Sequence, residues 1–141
     1  MSTEWSVSFE YRMTDAVSVF TSIIHFSIGG NCCSFGDRAP AVFLKKGTGG
    51  FHFTSSLENM ANYYYDYYRE ISINRVYNIE VHQRYISNGN YRYFIKIDGE
   101  EVHSAVNSKA RQYYNVKVYA GSPWFTSSSG YISNLQFTNF L

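Results

Sequence analysis

A chain of 141 residues with 45% hydrophobic and 16% charged side chains is sized for one domain over residues 1–141, able to bury about 68–70% of the surface its unfolded form exposes. Twelve Lys and Arg against 11 Asp and Glu leave a formal charge of +1, and no basic run exceeds Lys45-Lys46, which excludes the electrostatic footprint of a nucleic-acid binder. No apolar stretch is long enough for a membrane span, and Met1-Ser2-Thr3-Glu4-Trp5 does not read as a leader peptide.

Aromatic residues reach 19%, with 14 Tyr and 11 Phe, a mix that favours the pleated, half-buried surface of a sheet. The first strand alternates Trp5, Val7, Phe9 and Tyr11 with Ser6, Ser8, Glu10 and Arg12. A polar break at Thr14-Asp15-Ala16 follows, and residues 17–28 read as one or two strands ended by Gly29-Gly30-Asn31. Residues 31–40 form a loop, 41–45 a short buried strand, 47–50 a glycine-rich turn, and 51–56 the strand beyond it. The tyrosine-rich run with Asp66, Tyr63 to Tyr68, is expected as an edge strand or an ordered loop.

The clearest element lies between Arg75 and His103. Tyr77, Ile79, Val81 and Tyr85 alternate with Asn78, Glu80, His82 and Arg84, the period of a strand wet on one face. Ser87-Asn88-Gly89-Asn90 supplies a turn, because Asn and Gly tolerate positive φ. Tyr91, Tyr93, Ile95 and Ile97 then face Arg92, Lys96 and Asp98, and Asp98-Gly99 reverses the chain again. Residues 104–111 are expected as a polar excursion with a helical turn, 114–120 as a strand with Val116, Val118 and Ala120 on one face, 121–130 as a loop, and 131–140 as the last strand. About ten short strands at 8–12-residue spacing describe an all-β sandwich or barrel.

The only cysteines, Cys32 and Cys33, are adjacent. A bond between neighbours is rare, so free thiols, a bridge between two chains across a twofold axis, and metal or redox work all stay open. His25, His52, His82 and His103 show no zinc spacing. There is no nucleophile elbow or phosphate loop, and the only adjacent acids, Glu100 and Glu101, alternate faces. The chain is therefore expected to have no catalytic residues.

An opening strand led by Trp5, the stretches N-I-E-V-H-Q at 78–83 and Y-F-I-K-I-D-G-E-E-V at 93–102, and G-Y-I-S-N-L-Q-F at 130–137 together resemble the concanavalin A-like, laminin-G-like and galectin-like jelly rolls. I-I-H-F-S-I-G-G-N at 23–31 with G-D-R-A-P at 36–40, and V-Y-A-x-x-P-W at 118–124, look like blocks of secreted invertebrate modules of that superfamily. The galectin H-x-N-P-R run and the W-x-x-E after it are absent. The resemblance implies an all-β, two-sheet antiparallel β-sandwich, secretion, and non-covalent binding of a simple sugar, galactose-type first, by an oligomeric lectin, in some relatives with calcium. The alternative it implies is a laminin-G-like adhesion module without free-sugar binding.

Four places could carry such a site. The polar row of the hairpin offers Glu80, His82, Arg84, Arg92 and Lys96, planar donors and acceptors that suit adjacent hydroxyls; the alternative is a solvated face of cross-strand charge pairs. Asp37 and Arg38 form either an oxygen-rich loop that calcium would take or a mutual ion pair that pins the loop. Trp124 either stacks on a sugar ring or plugs the end of the sandwich. The tyrosine run suits a binding surface, a dimer seam or an edge cover. A homodimer, joined through Cys32 or Cys33 or by sheet edges, would give the avidity that a weak single site lacks.

Overall fold

The computed structural model describes residues 1–46 and 49–140. Ten strands follow one another: β1 Glu4–Met13, β2 Thr21–Ser27, β3 Ala41–Leu44, β4 Phe51–Leu57, β5 Met60–Asp66, β6 Val76–Ser87, β7 Asn90–Ile97, β8 Glu100–Asn107, β9 Lys117–Ala120 and β10 Gly130–Phe140. The first sheet runs β10-β1-β6-β7-β8 and the second β5-β4-β3-β2-β9, every pairing antiparallel. Among the described residues there is no helix, and so none long and apolar enough to cross a membrane.

Alternation decides which side of each strand is dry. Trp5, Val7, Phe9, Tyr11 and Met13 on β1, Tyr77, Ile79 and Val81 on β6, and Tyr93, Ile95 and Ile97 on β7 meet Ile24, Phe26, Val42, Leu44, Phe51 and Phe53 of the second sheet in one core. Each such side chain contributes about 1.5–3 kcal/mol by leaving water. Asn88-Gly89 and Asp98-Gly99 both hold positive φ, the geometry that matches a two-residue turn to the twist of its strands.

Several expectations shift. Only Thr21–Ser27 of residues 17–28 is strand. The expected helical excursion after His103 is the rest of β8, which runs on to Asn107. Tyr85 is 52% exposed, and the buried place in that row belongs to Gln83, which donates to Thr3 O at 2.7 Å and accepts from Asn107 Nδ2 at 2.8 Å. Val118 lies exposed on the edge strand β9, and the tyrosine run is the edge strand β5 and the residues after it. The expected turn at 47–50 falls partly outside the described residues.

Three histidines are held neutral by burial. Loss of solvent pushes His25, His52 and His103 below the ordinary imidazole value. His25 Nε2 meets Asp37 O at 2.7 Å, and His103 stacks on Tyr65 with ring centres 4.3 Å apart. Because the unfolded chain takes up these protons first, stability is complete above the unfolded imidazole pKa of about 6.5 and is lost as pH falls toward the folded values. Urea midpoints measured at pH 7.5, 6.5 and 5.5, about one unit apart, are expected to hold steady over the first interval and drop over the second. A midpoint that rises toward pH 5.5 would contradict the buried placement.

Candidate functional site

The hairpin residues do gather on one surface, the outer face of the first sheet. Cross-strand register sets Glu80 opposite Lys96, His82 opposite Phe94, and Arg84 opposite Arg92. The two arginines, like charges face to face, are each drawn off by a carboxylate: Arg84 Nε donates to Glu4 Oε1 at 2.8 Å, and Arg92 to Glu101. Their guanidinium groups also lie over rings, Arg84 over Phe140 at 3.8 Å and Arg92 over Phe94 at 4.4 Å. His82 Nε2 donates to Glu80 Oε2 at 2.7 Å, and its Nδ1 is buried and without a partner among the described residues. The His82 and Phe94 rings stack nearly parallel, 4.5 Å apart.

Beside this ladder the face sinks. Ser8, Glu10, Asn78, Glu80, Asn134 and Gln136 line a shallow hollow of about 340 Å³ across β10, β1 and β6, floored by Phe9 and Ile79. Its shape follows from a bulge: the β1–β10 register slips between Ser8 and Glu10, where Asn134 takes positive φ, and such an insertion bends the strand and re-aims its side chains. Ser133 Oγ donates to Glu10 Oε2 at 2.9 Å. The lining is amide, carboxylate and hydroxyl, a set that both gives and takes hydrogen bonds.

Sequence reasoning placed Asn78 and Glu80 in one polar row but missed the rest of the hollow, since Glu10 and Asn134 join them only through strand order. Phe94 was within reach: it stands between Arg92 and Lys96 on the same alternate row.

Asp37, Arg38 and Trp124 lie elsewhere, on the outer side of the second sheet. The expected Asp37–Arg38 pair does not form. Asp37 Oδ2 accepts from Ser34 N at 2.9 Å, and its carboxylate packs so closely on Gly30 that a Cβ there would stand 2.3 Å from Oδ1. Arg38 instead donates to Asn31 O and Asn62 Oδ1, both at 3.0 Å. This loop does not fit calcium, which wants six to eight oxygens: its one carboxylate is engaged, a guanidinium is its neighbour, and among the described residues no group of three His, Cys, Asp or Glu could hold a metal. Trp124 is folded back on His25 and Tyr119, at 5.1 and 5.9 Å between ring centres, yet stays 37% exposed. Cys32 and Cys33 are bonded to each other, so neither is free to bridge two chains.

No known family of sequences matches this chain, and no curated protein does. Among solved structures it is similar to a heptameric SAP-like pentraxin from Limulus polyphemus, at 14% identity and a TM-score of 0.56, over 96% of this chain and 63% of that one. The fold is a two-sheet antiparallel jelly roll. A marine PL-14 alginate lyase from Aplysia kurodai shares it at 8% identity and a TM-score of 0.53, over 98% of this chain and 71% of the lyase. The jelly roll thus spans less than two thirds of the pentraxin's length, and identities this low carry the architecture alone. It supplies two outer sheet faces, and the side chains on them decide what each can hold.

Proposed function

We propose that the protein is a non-catalytic lectin that binds a simple, galactose-type sugar in the hollow on the outer face of the first sheet. The observation that supports this reading is the lining: two carboxylates that accept, with three amides and a hydroxyl that both donate and accept, border one depression beside the stacked His82 and Phe94. Glu80 belongs to both parts, because His82 holds its carboxylate in place. Adjacent sugar hydroxyls each donate and accept, so carboxylate and amide pairs match them, while the charges at Arg84 and Arg92 are already matched by Glu4 and Glu101. A single shallow site of this kind binds weakly, about millimolar, near −4 kcal/mol. Useful avidity then needs two sites, and a homodimer joined at a sheet edge is the form we propose.

A glycan array with and without chelator tests the reading. Galactose-terminated glycans are expected to bind in both conditions, and roughly millimolar galactose should inhibit agglutination of red cells. Glu80→Ala and Asn78→Ala should each weaken binding about tenfold or more, the loss of one or two hydrogen bonds to a charged or amide group, with little change in melting temperature. A protein that binds no glycan and agglutinates at no concentration would be the laminin-G-like adhesion module instead.

One observation favours a second reading, a glycoside hydrolase. Glu10 and Glu80 line the same hollow and are diagonal neighbours across β1 and β6, so two carboxylates border one depression, the residue pair that glycoside hydrolysis uses. Reducing-sugar release that Glu10→Gln abolishes would establish it.

A further inference from the structure

On the outer side of the second sheet an arginine is buried with no carboxylate among its hydrogen-bond partners. Arg38 is 6% exposed. Two of its five N–H groups reach neutral oxygens, Asn31 O and Asn62 Oδ1, and its guanidinium lies over the rings of Phe43 and Phe125 at 4.9 and 5.7 Å. The remaining N–H groups take no partner among the described residues. Asp37, next to it in the chain, acts on it through charge alone, with its own carboxylate held by Ser34 N, and Asp66 is engaged by His52 and Lys45.

A second observation points to the same place. Buried polar atoms without partners are few in folded proteins, and each is normally met by water or a ligand. Here they include Asn31 Oδ1, Thr54 Oγ1 and His25 Nδ1. Asn31 holds Arg38 through its carbonyl, His25 meets the edge of Phe43 beneath it, and Thr54 lies between Ala41 and Tyr64 in the strand register. A cation and three unmet polar atoms therefore share one patch of the sheet.

We propose that this face is a second binding site, for a saccharide bearing a carboxylate, with Arg38 taking the carboxylate on its free N–H edge. A planar guanidinium matches a planar carboxylate with two parallel hydrogen bonds. Two exposed aromatic rings flank it. Tyr64, 58% exposed, stacks on His52 at 5.6 Å, and Trp124 rests on His25. From β2 to β5 is three strand spacings, about 14 Å, so an oligosaccharide laid across the strands would set its rings on the two plates and its acid over Arg38. The inference rests on the reading of the protein as a carbohydrate binder but uses the opposite face from the galactose-type site.

Titration calorimetry with trigalacturonate and its methyl ester separates charge from shape, since the two share their sugar rings. The acid is expected to bind about tenfold or more tighter than the ester, and to weaken as salt is raised, because salt screens the approach of the carboxylate to the arginine. Tyr64→Ala and Trp124→Ala, both at exposed positions, should each weaken the acid severalfold with the melting temperature held. Arg38→Lys, which keeps the charge but loses the fork, should cost about tenfold. Equal affinity for acid and ester overturns the inference. So does a loss of trigalacturonate binding on Glu80→Ala with none on Tyr64→Ala and Trp124→Ala, which would move the acid to the first sheet and leave the lectin reading intact. Failure of trigalacturonate alone, with galactose-terminated glycans still bound, sinks only the second site, and failure of every glycan sinks both.

Discussion

Phe51→Ala is expected to lower stability by about 3–5 kcal/mol, the range for emptying a buried aromatic site. The ring is fully buried, and it is where the two sheets meet. Tyr11 of β1 and Tyr77 of β6 meet it at 6.2 and 5.4 Å between centres from the first sheet, and Phe53 of β4 and Tyr67, just beyond β5, at 6.0 and 6.3 Å. Removing it takes away the lost transfer energy and leaves a cavity that two rigid sheets cannot close. For a chain of this size the melting temperature should fall by roughly 12–20 °C. Tyr114→Ala is the control, since that ring is 71% exposed and its loss should stay within about 0.5 kcal/mol. A Phe51→Ala protein that loses less than about 1 kcal/mol would mean that the sheets do not pack face to face through this cluster.

How much of this was legible in the letters depends on the distance over which a residue's fate is decided. Trp5, Val7, Phe9 and Tyr11 announce their face because the pleat itself alternates, and Asn88-Gly89 and Asp98-Gly99 announce their turns because φ is a local property. Both readings hold in the structure. Gln83 breaks the pattern because its amide is satisfied by Thr3 and Asn107, partners supplied by other strands. The site suffers the same way. Glu80, His82, Arg84, Arg92 and Lys96 were found together because one hairpin carries them all. Glu10 and Asn134 join Glu80 only through the order β10-β1-β6. Arg38 and Trp124 appeared as two separate candidates, although the loop that carries Trp124 also brings Phe125 over the arginine. A spacing of two residues is a statement about one strand, whereas a binding face is a statement about which strands are neighbours.

The second large effect lies in that polar chain through the sandwich. Asn107 is buried; its Nδ2 donates to Gln83 Oε1 at 2.8 Å, and its Oδ1 accepts from Glu58 N at 3.0 Å and Lys109 N at 3.1 Å. Gln83 Nε2 in turn donates to Thr3 O. The start of β1, β6 and β8 in the first sheet are thereby tied to the β4–β5 turn of the second. Asn107→Leu keeps the volume but strands the Gln83 oxygen and two backbone N–H groups. At about 1–3 kcal/mol for each buried group left unmet, partly relieved where water reaches the turn, the expected loss is about 2–4 kcal/mol in urea unfolding. Gln83→Leu should cost less, since it orphans one Asn107 donor and the Thr3 carbonyl. The double variant then decides what the residues do. If they act as one network, removing both leaves fewer stranded groups than the two single changes suggest, and the pair should cost at least about 1 kcal/mol less than their sum. Strict additivity would mean that each amide is solvated independently, and that the two sheets are held at this end by apolar contact alone.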